Sequence, residues 1–264
     1  MIFTKMQGLG NDYLYVFGEV PANVAELCRK LSDRHFGAGS DGMIFISHAA
    51  SADFSMRIFN ADGSEAKMCG NGIRCVGKYV YDKGYTDKKK LTVDTLSGVK
   101  TLEMHVVGGK VCRVGVDMGT AAVSEDMELE IGGERIRCTP VSVGNPHAVV
   151  FVGDAEAAPV GELGPRIEKN AAFPGGVNAE FVEVISPTEL RMRVWERGSG
   201  ITMACGTGAC ASAAAAVSRG FCGAETPLTV RLDGGNLSVT VHEDGGITMS
   251  GPAETVYEGE TDLC

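Results

Sequence analysis

Two tetrads, Cys69-Gly70-Asn71-Gly72 and Cys205-Gly206-Thr207-Gly208, set one cysteine before the same glycine spacing in each half of a 264-residue chain, 136 residues apart. The correspondence extends upstream without a gap. Phe54-Ser-Met-Arg-Ile-Phe-Asn60 aligns with Leu190-Arg-Met-Arg-Val-Trp-Glu196, and a cysteine follows nine residues after each. A fainter echo relates Gly10-Asn11 to Gly144-Asn145 at an offset of 134. Each tetrad is expected to open a helix, where unpaired N–H groups and the positive end of the dipole favour an anion. A thiol of ordinary pKa about 8.5 is expected to fall there. The glycines allow close backbone approach, and their N–H groups can cradle a carboxylate. Each half therefore offers a base and part of an anion site.

Several chemistries use two thiols. A metal site wants more ligands at short spacing, whereas His35, His48, His105, His147 and His242 are scattered. A redox pair lacks a C-x-x-C partner, and nucleophilic catalysis needs one cysteine with a positioned base, not two equivalent ones. Two-base proton transfer at a stereocentre uses both thiols alike: a thiolate removes a proton from one face while a thiol delivers one to the other.

Elements must hold these groups. Alternation predicts strands at 2–7 and 13–17 around a Gly-Asn-Asp turn, and at 54–58 before the break at Asn60-Ala-Asp-Gly63. Val24, Leu27, Cys28 and Leu31 fall on one helical face. A helix is predicted from Cys69 through Val80, stopping at Gly84, and short strands over 91–117, with Lys88 to Lys90 a solvated loop. The second half repeats the order: a strand at 147–152, a helix near 162–169, strands at 180–185 and 190–196, a helix from Cys205 to near Gly220, then further strands. This pattern reads as α+β in two similar lobes. Cys75 and Cys210 are read as core-facing, and Arg57 and Arg193 as outward strand positions.

Composition sets outer bounds. Hydrophobic content of 44% and charged content of 22% suit a globular protein, and 36 glycines suit short strands and tight turns. The net charge of −10 argues against nucleic acid as a partner. The longest small-apolar run, Ala211 to Val217, is too short for a bilayer, so no membrane association is expected. No leader is read at the start, and nine cysteines, an odd number, point to reduced thiols in the cytoplasm.

The segments Asn60-Ala-Asp-Gly-Ser-Glu-Ala-Lys-Met-Cys-Gly-Asn-Gly-Ile-Arg-Cys75 and Glu196-Arg-Gly-Ser-Gly-Ile-Thr-Met-Ala-Cys-Gly-Thr-Gly-Ala-Cys-Ala211 resemble the two signature blocks of the diaminopimelate epimerases. The segments Met6-Gln-Gly-Leu-Gly-Asn-Asp12, Gly144-Asn-Pro-His147 and Gly176-Val-Asn178 fit that family in the same order. The resemblance covers essentially the whole chain. It implies two pseudo-symmetric lobes, each a strand-rich barrel around a central helix: 1–113, completed by 251–264, carrying Cys69, and 114–250 carrying Cys205. It also implies a site in the cleft between lobes, a homodimer, and an isomerase that interconverts LL- and meso-diaminopimelate without cofactor or metal, in lysine and peptidoglycan-precursor synthesis. By the same resemblance Cys69 and Cys205 are the acid/base pair, and Gly70, Asn71, Gly206 and Thr207 hold the reacting carboxylate. Glu196 meets the α-ammonium and, with His147, tunes the cysteines. Asn11, Asn60, Asn145, Asn178 and Arg197 grip the distal end of this small amino-acid substrate. One departure is Gly42, where many relatives carry glutamine, so one substrate contact is expected to be missing or replaced by water. Two alternatives stay open: a racemase for histidine, proline or hydroxyproline, and a non-enzymatic thiol-redox or metal-sensing protein.

Overall fold

The computed structural model describes residues 1–262; the last two residues of the 251–264 segment lie outside the described residues. The chain forms two compact units, Met1–Val116 together with the chain from Gly251, and Asp117–Ser250.

In the first unit, Ile2–Gly8 pairs antiparallel with both Asn11–Phe17 and Glu254–Glu260. The hairpin turns at Leu9-Gly10, both at positive φ (57° and 86°), which glycine accepts without strain and leucine does not. The turn thus precedes Asn11 instead of containing it, and Asn11 becomes the first strand residue. Helix α1 (Val24–Ser32) leads to the parallel strand Gly42–His48. Its Leu27, Cys28 and Leu31 are buried against Leu14, Met43, Phe45 and Phe59. Phe54–Asn60 returns antiparallel, and α2 (Gly70–Asp82) leads to the parallel strand Lys90–Thr95. Two antiparallel strands, Gly98–Val107 and Lys110–Thr120, follow.

The second unit runs through the same sequence of connections. Glu134–Ser142 pairs antiparallel with Pro146–Phe151, α3 (Val160–Glu168) leads to parallel Asn178–Ser186, and Glu189–Glu196 returns. Helix α4 (Gly206–Ser218) then leads to parallel Leu228–Leu232, with Gly235–Val241 and Gly246–Pro252 closing antiparallel. The registers correspond too. Tyr13 lies beside Gly42 as His147 lies beside Asn178, and Tyr15 beside Ile44 as Val149 beside Glu180. A run of alanines makes α4 apolar on every side, the mark of a helix buried all round. It packs on strands Glu134–Ser142, Pro146–Phe151, Asn178–Ser186, Glu189–Glu196 and Gly235–Val241.

The strand Gly42–His48 was not foreseen. Met43 to Ile46 are continuously apolar because a parallel strand in the sheet interior is buried on both faces, and no alternation marks it. Lys90 opens a strand instead of closing a loop. No helix among the described residues is long and apolar enough to cross a membrane.

Candidate active site

Both cysteines are helix N-caps in extended conformation, Cys69 at φ −139°, ψ 116° and Cys205 at φ −112°, ψ 109°. Each sulfur accepts the N–H of the third residue on, Gly72 or Gly208, at 3.3 Å. Both glycines stand at close approaches. A Cβ at Gly72 would lie 2.7 Å from Ile44 Cδ1, and one at Gly208 would lie 2.8 Å from Glu180 Oε1 and 3.2 Å from Cys205 Sγ. The tetrads thus share one backbone solution: two identically seated sulfurs at helix starts.

Their surroundings differ. Cys69 Sγ donates to Asn11 Oδ1 at 3.2 Å, and Asn11 Nδ2 donates to Asp41 Oδ2 at 2.7 Å. The buried Tyr13 hydrogen-bonds Asn11 and Cys69, and burial pushes its phenol above the ordinary range. Arg74 in α2 is wholly buried; its Nη1 donates to Gly70 O at 3.0 Å and its Nε to Pro252 O at 3.1 Å. Burial disfavours its charge, whereas Cys75 and Cys69 favour it.

Around Cys205 the groups are titratable. Thr207 Oγ1 lies 3.5 Å from the sulfur and accepts from Asn145 Nδ2 at 3.2 Å. Asn145 Oδ1 meets His147 Nε2 at 3.1 Å, and His147 Nδ1 meets the fully buried Glu180 Oε1 at 2.7 Å. Glu196 is held by the Thr202 hydroxyl and hydrogen-bonds Cys205; burial pushes its carboxyl up. The Cys205 thiol is pushed well above its ordinary value, first by burial, then by Glu196 and Glu180. These outweigh the Thr207 hydroxyl and the Gly208 N–H, which favour the thiolate. The expectation that a helix N-terminus lowers the thiol is therefore corrected for Cys205: desolvation and two carboxylates exceed the donors of one helical turn.

Of the residues expected at the site, Asn11 stands at Cys69, with Gly70 and Asn71 in the first turn of α2. Asn145, His147, Glu196, Gly206 and Thr207 gather at Cys205. Asn60 donates to Ser64 Oγ at 3.1 Å, within its own turn. Asn178 donates to Pro146 O and accepts from Arg197 N at 2.9 Å, while Arg197 Nη1 reaches Gly175 O. At Gly42 an added Cβ would lie 2.0 Å from Phe59 O, so this backbone admits glycine alone and a glutamine could not stand there unshifted. Cys75 and Cys210 are fully buried. Glu180, Tyr13, Asp41 and Arg74 were not foreseen. The repeat offset held a signal for the first: Glu180 occupies the position of Ile44, a carboxylate where the matched strand is apolar.

The diaminopimelate epimerase family profile matches residues 3–124 and 139–256. The diaminopimelate epimerase of Acetivibrio thermocellus is 51% identical, covering 100% of this chain and 99% of its own. That of Phocaeicola vulgatus is 49% identical over 99% of this chain and 98% of its own. The chain belongs to the diaminopimelate epimerase family. It is an isomerase, and neither a racemase of another amino acid nor a thiol sensor is favoured beside relatives this similar. Among solved structures, a phenazine biosynthesis protein of the PhzF family from Bacillus anthracis superposes with a TM-score of 0.78 at 17% identity, covering 100% of this chain and 99% of its own. That likeness places the α+β fold among diaminopimelate-epimerase-like folds.

Proposed function

We propose that the chain interconverts LL- and meso-diaminopimelate by two-base proton transfer, with Cys69 and Cys205 serving opposite faces of one α-carbon. A thiolate takes the α-proton, the electron pair is left on carbon, and the other thiol returns a proton from the opposite side. The first sulfur ends as thiol and the second as thiolate, so the reverse reaction uses the same groups in exchanged roles. The carrying observation is that both sulfurs sit in one N-cap geometry, each on the N–H of the third residue at 3.3 Å.

The α-hydrogen is far less acidic than a thiol, so the developing carbanion needs stabilisation where it forms. The two helix N-termini supply N–H donors to the reacting carboxylate through Gly70, Asn71, Gly206 and Thr207. Glu196 pairs with the α-ammonium, and His147 tunes Cys205. Asn11, Asn60, Asn145, Asn178 and Arg197 serve the distal amino-acid end. The reaction draws on no cofactor. The protein works as a homodimer in the cytoplasm and supplies lysine and peptidoglycan-precursor synthesis.

Incubation of reduced protein with LL-diaminopimelate in D2O tests this, with L-histidine and L-proline in parallel. Deuterium at the α-carbon of diaminopimelate alone, with meso product by NMR, is the expected result. Exchange only in another amino acid would move the substrate assignment. No exchange in any would overturn the proposal.

A further inference from the structure

Between Cys205 and the interior of the second unit runs an unbroken line of contacts: Cys205 Sγ, Thr207 Oγ1, the Asn145 amide, the His147 ring and the Glu180 carboxylate. We infer that Glu180 is a positioning residue which, through His147 and Asn145, aims the Thr207 hydroxyl at the Cys205 sulfur. The inference rests on the proton-transfer role proposed for Cys205 and adds the device that lets this thiol change state.

Donor and acceptor rules dictate the direction of the line. Asn145 Oδ1 faces His147 Nε2, and Asn145 Nδ2 faces Thr207 Oγ1. An amide oxygen only accepts, so Nε2 must donate. With Glu180 ionised, its Oε1 accepts from Nδ1 across the 2.7 Å contact, and the ring then carries both protons. Thr207 Oγ1 takes a proton from Asn145, which leaves its own for the sulfur 3.5 Å away. With one proton on the ring the line reverses: Nε2 accepts from Asn145 Nδ2, Asn145 Oδ1 accepts from Thr207, and Thr207 accepts the S–H. A doubly protonated His147 thus accompanies the Cys205 thiolate, and a neutral one accompanies the thiol. Glu180 selects between the two. It is fully buried, and among the described residues its second oxygen has no hydrogen-bond partner and His147 is the only side chain hydrogen-bonded to the first.

Only one copy of the repeat has this line. Tyr13, Ile44 and Asn60 stand in the first unit where His147, Glu180 and Glu196 stand in the second. The charged groups acting on Cys205 are Glu196 and Glu180, and His147 acts on Glu196. Glu134 opens one of the strands packed against α4, and the other charged side chains there are engaged elsewhere: Arg135 with Glu128, Arg137 with Asp126, Arg191 and Arg193 with Asp233, Arg231 with Glu189, and Glu183 with the Ala155 N–H. Strand Gly235–Val241 carries no titratable residue.

Iodoacetamide alkylation of Cys205, followed by peptide mass spectrometry across a pH series, separates this line from simple through-space charge. Removing a carboxylate that acted only through space would speed alkylation. In Glu180→Gln the pair stays net neutral but the line reverses, so alkylation at neutral pH slows about tenfold, the scale of one hydrogen bond to a charged sulfur. Thr207→Val slows it by a similar factor, and the double variant is no slower than Thr207→Val alone. Faster alkylation in Glu180→Gln, or additive slowing in the double variant, would overturn the inference. Should the Glu180 variant fail to fold, ring-nitrogen NMR of His147 decides. At a pH where wild-type Cys205 alkylates readily, Nε2 is protonated in wild type and bare in Cys205→Ser; identical signals would overturn it. None of these readouts needs turnover. Wild-type protein without α-hydrogen exchange would sink the epimerase proposal and leave the line standing, and the converse holds equally.

Discussion

Glu196→Gln is expected to make Cys205 more reactive and the enzyme slower. Glu196 is buried, held by the Thr202 hydroxyl and hydrogen-bonded to the Cys205 sulfur, and after burial it is the largest influence raising that thiol. One unit charge at about 4 Å with an effective dielectric of ~20 amounts to about 4 kcal/mol, an upper bound. A quarter of that, about 1 kcal/mol, already speeds alkylation at neutral pH about fivefold. Turnover moves the other way. An amide cannot neutralise the substrate's α-ammonium, and loss of a hydrogen bond between charges, about 1.5–3 kcal/mol, lowers kcat/KM roughly 10- to 100-fold. Peptide mass spectrometry after iodoacetamide reads the first effect, and chiral chromatography of the product reads the second. Slower Cys205 alkylation would refute the electrostatic account of this thiol. A kcat/KM that rose with reactivity would refute the role given to Glu196 toward the ammonium.

Cys69→Ala and Cys205→Ala are each expected to lower kcat by about 10²–10⁴, the usual contribution of a positioned acid or base; an active double variant, measured by α-hydrogen exchange, would end the two-thiol mechanism. Gly42→Gln should lower Tm without improving KM, because its Cβ would collide with Phe59 O at 2.0 Å; overpacking of about 1–3 kcal/mol corresponds to a few degrees. Gly208→Ala should cost more activity than Gly72→Ala, since the new methyl meets Glu180 Oε1 and Cys205 Sγ in one case and the movable end of Ile44 in the other; equal kcat values would refute this. Asp12 is raised by burial but held below the ordinary carboxylate range by Arg34 and Lys5, at 2.7 and 2.9 Å. A depressed folded-state pKa stabilises above the unfolded value of ~3.9 and loses that contribution as pH falls through the folded one. Asp12→Asn should therefore be less stable by about 1 kcal/mol near neutral pH, Arg34 being half exposed and screened, and denaturant titrations should converge with wild type in acid.

Much of the frame was legible because periodicity and punctuation carried it. The apolar face of α1, the alternation of 54–60 and the glycine-led starts of α2 and α4 each follow from local chemistry, as does the placement of both cysteines at helix starts. Strand Gly42–His48 was hidden because burial on both faces erases alternation. The charge environment of Cys205 was hidden for another reason. His147 and Glu180 are 33 residues apart and meet only because Pro146–Phe151 and Asn178–Ser186 pair in parallel. A thiol's proton affinity depends on what is desolvated beside it, and of that balance only the helix terminus and the Thr207 hydroxyl are written next to the cysteine.

The two halves keep one backbone frame and diverge in charge at matched positions. Position 13 is tyrosine where 147 is histidine, 44 is isoleucine where 180 is glutamate, and 60 is asparagine where 196 is glutamate. In the proposed reaction the second stereocentre is untouched, so the two directions start from diastereomers and equal surroundings are not demanded. What turnover demands is that each sulfur hold either protonation state in the course of one cycle. Burial beside Glu196 and Glu180 alone would fix Cys205 as a thiol. A line of donors that can turn toward the sulfur when His147 is charged opposes that bias only while it is needed. Cys69 hydrogen-bonds Asn11 and Tyr13, and its sulfur, after that of Cys75, favours the charged form of the buried Arg74. The movable line stands in the half where Glu196 and Glu180 oppose the thiolate, and tyrosine and isoleucine stand at the positions of His147 and Glu180 in the other.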